Sequence, residues 1–111
     1  MEVCKGRSSW IGACADPGHW VRSGLDPVEC LKKLQGRINN VHIKEVDEDK
    51  NNVIFGTAQN HVEDVLKELH RQQCQGIFSI EYESNWDNNV PDIQKSISFF
   101  NSVASQLTSN K

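Results

Sequence analysis

The sequence predicts an α/β fold of three consecutive strand–helix units, with parallel strands joined by right-handed crossovers. Three observations carry this. Short apolar or alternating runs at about residues 10–16, 38–46 and 77–83 have the length and pattern of strands. Amphipathic repeats at about 27–35, 61–74 and 91–107 have the period of helices. The two kinds alternate strictly along 111 residues, and no linker, repeat or low-complexity tract divides the chain.

Taken in order, Trp10-Ile11-Gly12-Ala13-Cys14-Ala15 is apolar and closed by Asp16-Pro17-Gly18. It reads as a buried strand running into a turn, with Trp10 expected to pack under the helix layer. Asp26 fits an N-cap, Pro27 the first helical position, and Glu29 the third, from which a side chain reaches back to the cap. Val28, Leu31 and Leu34 mark that helix's apolar face, and Gly36 its end. In the next strand Val41, Ile43 and Glu45 share one side, and His42 and Lys44 the other. Asp47 to Asn52 reads as a polar loop. Asn60, with Glu63 three residues on, is expected to start the second helix, Val62, Val65, Leu66 and Leu69 to form its stripe, and Gly76 to stop it. His61 and His70 fall on its solvated side. Phe78, Ile80 and Tyr82 alternate with Ser79, Glu81 and Glu83 in the third strand, and Ile93, Ile97, Phe100, Ala104 and Leu107 follow at helical spacing. Thr108 to Lys111 is expected to fray.

Composition narrows the function. The chain is 37% hydrophobic and 24% charged, with a net charge of −3. That balance provides no electrostatic footing for nucleic acid or an anionic membrane. No apolar stretch approaches the ~20 residues of a membrane span, and no signal-peptide core opens the chain. Cys4, Cys14, Cys30 and Cys74 form no C-x-x-C pair, so they read as buried free thiols of a cytoplasmic protein.

Asp16, His42 and Glu81 fall at or near the carboxyl ends of the three strands, 26 and 39 residues apart. In barrels and open α/β sheets, strand carboxyl ends are where ligands bind. Two carboxylates and an imidazole converging there make a candidate site for a divalent metal, with Mn, Mg, Co and Zn all compatible. The same residues also suit a salt-bridged layer in which Lys44 neutralises Glu81 or Glu83. Asp16 alone could simply open a turn. Trp20 and Arg22 suit stacking on a ring and phosphate binding, or loop packing and a surface charge. Trp86 and Asn85 stand in the same position after the third strand.

The stretch CADPGHWVRSGLDPVECLKKLQGRINNVHIKEV, the turn at Phe55-Gly56 and the stretch GIFSIEYESNW resemble the C-terminal part of sugar phosphate isomerase/epimerase proteins. These belong to the xylose isomerase-like TIM-barrel superfamily, which also holds tagatose epimerases, inosose dehydratases and endonuclease IV. The resemblance spans roughly residues 10 to 107 and implies a partial TIM barrel made of the last three βα units. It implies Asp16, His42 and Glu81 as metal ligands, and Glu81 as one of two glutamates that exchange a proton with the substrate carbon. His19 and Lys44, with Trp20 and Arg22 nearby, are the expected contacts of a sugar or sugar-phosphate substrate.

Several positions depart from the family pattern. H-x-K-D reads His42-Ile43-Lys44-Glu45, G-x-G reads Gly56-Thr57-Ala58, and a helix-starting aspartate is replaced by His61. Asp47, Glu48 and Asp49 stand where the tagatose-epimerase branch often carries an arginine. A full barrel has eight strands. The resemblance therefore implies a piece of a barrel that needs its other half or self-association, and that catalyses poorly alone. The implied activity is a divalent-metal-dependent isomerase or epimerase that moves a proton next to a carbonyl through an enediolate. Metal-dependent dehydration, phosphodiester hydrolysis on the same fold, and a non-catalytic half-barrel are the alternatives.

Overall fold

The computed structural model describes residues 2–109. A 3₁₀ turn, Glu2–Cys4, leads into β1 (Ala13–Ala15), α1 (Pro17–Arg22) and α2 (Pro27–Lys33). Next come β2 (Ile38–Ile43), the short strands β3 (Glu45–Val46) and β4 (Asn52–Val53), and α3 (Val62–Arg71). β5 (Ile77–Ile80) and α4 (Val90–Ser109) complete the order. β1, β2 and β5 form one parallel sheet with β2 in the middle, in the register Ala15↔Val41 on one side and Val41↔Phe78 on the other. This is an α/β fold, the open-sheet arrangement of a partial TIM barrel. No helix is long and apolar enough to cross a membrane among the described residues.

Strand parity places the core. Val41 and Ile43 point to the helix side and pack with Ala15, Leu31, Phe55, Val62, Val65, Leu66, Leu69 and Val103. The helices thus cover one face of the sheet, and the opposite face carries His42. α2 begins as its sequence predicts, with Asp26 Oδ1 accepting from the N–H groups of Val28 and Glu29 at 2.9 and 3.3 Å. Glu29 does not reach back to the cap. Its carboxylate pairs with Lys32 at 3.2 Å, one helical turn on.

Other expectations are corrected. The Asp-Pro-Gly turn is the first turn of α1, a helix too short to show a period, with Asp16 Oδ1 accepting from the His19 N–H at 3.1 Å. Trp10 is 91% exposed. Sheet pairing starts only at Ala13, and residues 7–11 are held by their backbone, whose carbonyls accept from Arg37 and Asn39. Cys4 is buried, Cys30 and Cys74 are half-buried, and Cys14 is exposed.

The run expected as one strand over 38–46 breaks at Lys44. Glu45 and Val46 leave the parallel sheet and pair antiparallel with Val53 and Asn52. The polar loop between them is a hairpin turn, in which Asp47 Oδ1 accepts from the N–H groups of Asp49 and Asn51, both at 2.9 Å. β5 likewise ends at Ile80, so Glu81 and Glu83 lie beyond it. Asn60 does not cap α3. Its side-chain amide donates to the Val46 carbonyl, and His61 takes the cap position in a left-handed conformation without a capping bond. Gly76 does not stop α3 either, because Gln73 takes the left-handed position there. A Cβ on Gly76 would stand 2.9 Å from the Asn39 carbonyl, so glycine is needed for β5 to approach β2. Thr108 and Ser109 are helical, and Asn110 and Lys111 lie outside the described residues.

A buried carboxylate joins α2 to α3. Glu68 accepts from Arg71 Nε at 2.8 Å and from Gln72 Nε2 at 2.6 Å, while Gln72 also donates to the Leu31 carbonyl. The Arg71 hydrogen bond, ahead of the cost of burial, lowers the Glu68 pKa from 4.5 to about 2. A depressed carboxylate contributes stability above its unfolded pKa and loses it as pH falls through the folded one. The stability gap between wild type and Glu68→Gln is therefore expected to shrink by about 1–2 kcal/mol as pH falls from 5 to 2, the exposed Arg71 being screened. Urea denaturation at a series of pH values measures this. A gap constant across that window speaks against the linkage.

Candidate metal centre

Parallel register brings the site together. Ala15 pairs with Val41, so Asp16 follows β1 level with His42 on β2. His42 pairs with Ser79, and Glu81, two residues on, shares the face of Ser79. The Glu81 N–H donates to the Ile43 carbonyl at 3.1 Å, which extends the strand direction past the last ladder pair. All three side chains thus reach the carboxyl end of the sheet from neighbouring strands.

Asp16 divides its two oxygens. Oδ1 caps α1, and Oδ2 lies 3.6 Å from His42 Nδ1. Glu81 Oε2 stands 2.7 Å from the same imidazole nitrogen. Glu81 Oε2 is nonetheless buried without a hydrogen-bond partner. An acceptor oxygen held this close to an imidazole nitrogen without a directed hydrogen bond is the arrangement of two ligands facing one cation. One donor atom from each of Asp16, His42 and Glu81 lies within 4.8 Å of the others. Two carboxylate oxygens and one imidazole nitrogen suit hard or borderline divalent cations, so the residues present fit a metal.

Lys44 lies beneath the cluster with a side chain of 0% exposure. Its Nζ is 2.7 Å from Glu83 Oε1, 3.3 Å from Glu81 Oε1 and 3.9 Å from Asp16 Oδ2. Burial works against the ammonium charge, but the Glu83 hydrogen bond and the Asp16 and Glu81 carboxylates outweigh it and raise the pKa. The stem of Lys44 reaches this position past Gly18, where a Cβ would stand 2.6 Å from Lys44 Cγ. The glycine between Asp16 and His19 thus answers to a residue 26 positions away as well as to its own backbone. His19 sits at the rim, half exposed, with Nε2 3.6 Å from Asp16 Oδ2 and 3.4 Å from Lys44 Nζ.

The metal-ligating candidates, His19 and Lys44 are therefore brought together. Trp20 packs against the hydrophobic core, and Arg22 is half-buried with Nε unpartnered and no bond or ion pair to the cluster among the described residues. Asn85 donates to the Asn88 carbonyl and to Asp92, shaping the entry to α4, while Trp86 projects outward.

Two organising residues escaped the sequence reading. Asn52 Oδ1 accepts from the Glu83 N–H at 2.5 Å, its Nδ2 donates to the Glu45 carbonyl, and its own carbonyl accepts from Ser84 Oγ. It ties the β3–β4 hairpin to the segment after β5. The buried Glu45 carboxylate accepts from the N–H groups of Gly56, Ala58 and Asn60 at 2.8, 3.4 and 2.7 Å. It fixes the loop that leads to α3, in place of a side-chain cap. For Glu45 the sequence offered a carboxylate at an apolar-face position, in the acidic place of H-x-K-D, but not the loop that it holds, and Asn52 gave no signal.

Comparison with known proteins agrees with this fold. The family profile of the xylose isomerase-like TIM barrel matches residues 1–103. Inosose dehydratases of Mesomycoplasma hyopneumoniae, strains 7448 and 232, are each 32% identical over 79 residues, covering 71% of this chain and 24% of theirs. An uncharacterized protein of Parabacteroides distasonis is 38% identical with a TM-score of 0.59, over 89% of this chain and 41% of that one. A D-tagatose 3-epimerase-like protein superposes with a TM-score of 0.79 at 24% identity, over 98% of this chain and 40% of that one. The chain thus spans about a quarter of the length of the curated relatives it matches, and about two fifths of these solved structures. On the profile match and the shared fold together, the chain belongs to the xylose isomerase-like TIM barrel family.

Proposed function

We propose that the chain carries the metal-binding carboxyl-end strands of a divalent-metal-dependent sugar or sugar-phosphate isomerase/epimerase. The convergence of Asp16, His42 and Glu81, with Glu81 Oε2 buried and unsatisfied, is the observation that carries this reading. Asp16, His42 and Glu81 would hold the cation, which supplies a Lewis acid for adjacent carbonyl and hydroxyl oxygens. Glu81 accepts the proton from the carbon next to the carbonyl. Its return to the neighbouring carbon of the enediolate, with the hydroxyl proton passing to the former carbonyl oxygen, completes an isomerisation. Return of a proton to the opposite face of the same carbon, by the second glutamate that the resemblance implies, completes an epimerisation. His19, at the rim, donates a hydrogen bond to a substrate oxygen. Lys44, 3.3 Å from Glu81 Oε1, holds the Glu81 carboxylate in place beside His42.

The likeness to inosose dehydratases favours a second reading. Proton removal next to a carbonyl is shared by the two reactions, but in dehydration the neighbouring hydroxyl then leaves as water. Incubating the protein and Mn²⁺ with a ketose or a keto-inositol in D₂O separates them by NMR. Deuterium entering the carbon beside the carbonyl, without loss of water, is expected for the first reading. Elimination to an unsaturated ketone is expected for the second. Neither reaction, together with no Mn²⁺ uptake by calorimetry, would leave a half-barrel without catalytic function.

A further inference from the structure

We propose that Lys44 is the internal counter-ion of this site, a positioning residue that holds Asp16 and Glu81 together and competes with the divalent cation for them. The inference rests on the metal reading above. Glu81 is the pivot, because its two oxygens face different cation positions. Oε1 meets the Lys44 ammonium at 3.3 Å, and Oε2 meets His42 Nδ1 at 2.7 Å. Lys44 is enclosed, so its charge is balanced chiefly by the carboxylates around it, with His19 Nε2 3.4 Å away at the rim.

Glu83 decides how strongly Lys44 competes. It makes the shortest of the three contacts, at 2.7 Å against 3.3 and 3.9 Å, and so draws the ammonium off the ligands. Glu83 is itself placed by Asn52, whose Oδ1 takes its N–H and whose Nδ2 is anchored on the Glu45 carbonyl. The β3–β4 hairpin, which holds no ligand, therefore sets the balance between ammonium and metal. Two cations sharing one carboxylate repel, so removing either influence on Lys44 shifts metal affinity, and the two shifts have opposite signs.

The test is Mn²⁺ titration calorimetry on the full chain, with thermal unfolding measured with and without Mn²⁺. Lys44→Met is expected to unfold at a lower temperature without metal, since three carboxylates lose their cation, and to bind Mn²⁺ about tenfold more tightly. Glu83→Gln is expected to bind Mn²⁺ about tenfold more weakly, because the ammonium then settles on Asp16 and Glu81. A merely structural role would weaken binding in both. If Lys44→Met is unfolded without metal, recovery of its fold on adding Mn²⁺ supports the proposal. The double variant Lys44→Met/Glu83→Gln, which removes both partners of the pair, is expected to bind at least as tightly as wild type. Weaker binding in that double variant, or a shift of both single variants in the same direction, overturns the proposal alone. A wild-type chain that takes up no Mn²⁺ overturns the metal reading, and this proposal with it.

Discussion

Glu81→Gln is expected to lower Mn²⁺ affinity by about 10²-fold and to abolish deuterium exchange into a bound ketose. The substitution keeps the size of the side chain and removes its charge. Loss of a partner that merely orients a ligand costs 10- to 100-fold in metal affinity, so loss of a ligand's own charge belongs at the upper end. Proton transfer by a placed side chain contributes ~10²–10⁴-fold, and an amide cannot accept the proton. Calorimetry and NMR exchange read the two effects separately. Retained exchange with lost metal would assign the proton transfer to another group, and unchanged metal affinity would remove Glu81 from the ligand set. His42→Ala is the companion measurement. It is expected to weaken Mn²⁺ binding comparably while leaving the Lys44–Glu83 pair, and most of the stability, in place.

Sedimentation at micromolar concentration is expected to show dimers or larger species. β1 and β5 are the outer strands of the parallel sheet, and among the described residues neither pairs on its outer side. Unpaired strand edges present rows of N–H and C=O groups to any available partner. At the amino-terminal end of the sheet, Trp10 and Ile77 are 91% and 71% exposed, and Ile11 is also exposed. Burying 200–400 Å² of such surface is worth roughly 5–10 kcal/mol at ~25 cal/mol per Å². Association itself costs about 4–15 kcal/mol, so this apolar area drives it together with pairing of the open strand edges. Ile77→Lys on the β5 edge is expected to shift the distribution toward monomer by charge repulsion and loss of apolar area. A wild-type chain that sediments as a single monomer and unfolds cooperatively would show that the open edges are adequately protected by solvent alone.

The sequence by itself determined the alternation of the three parallel strands with the helices α2, α3 and α4, the face that most residues take on those elements, and the three ligand candidates. These are properties of short range. Alternation in Val41-His42-Ile43-Lys44 separates core from site whatever lies across the sheet, and Asp26-Pro27 starts a helix through its own backbone. Tertiary structure decided depth and partnership, because both depend on segments tens of residues away. Lys44 and Glu81 share a face with similar polarity in sequence, yet Lys44 is enclosed and Glu81 is not, since Gly18 lets the lysine stem pass beneath α1. Gly76 looks like a helix stop but is required by the Asn39 carbonyl of another strand. The break at Lys44 follows from the β3–β4 hairpin, whose Asn52 holds Glu83 across 31 residues of chain. No local pattern encodes such a bond, because neither residue acquires its partner until the parallel sheet has aligned β2 with β5.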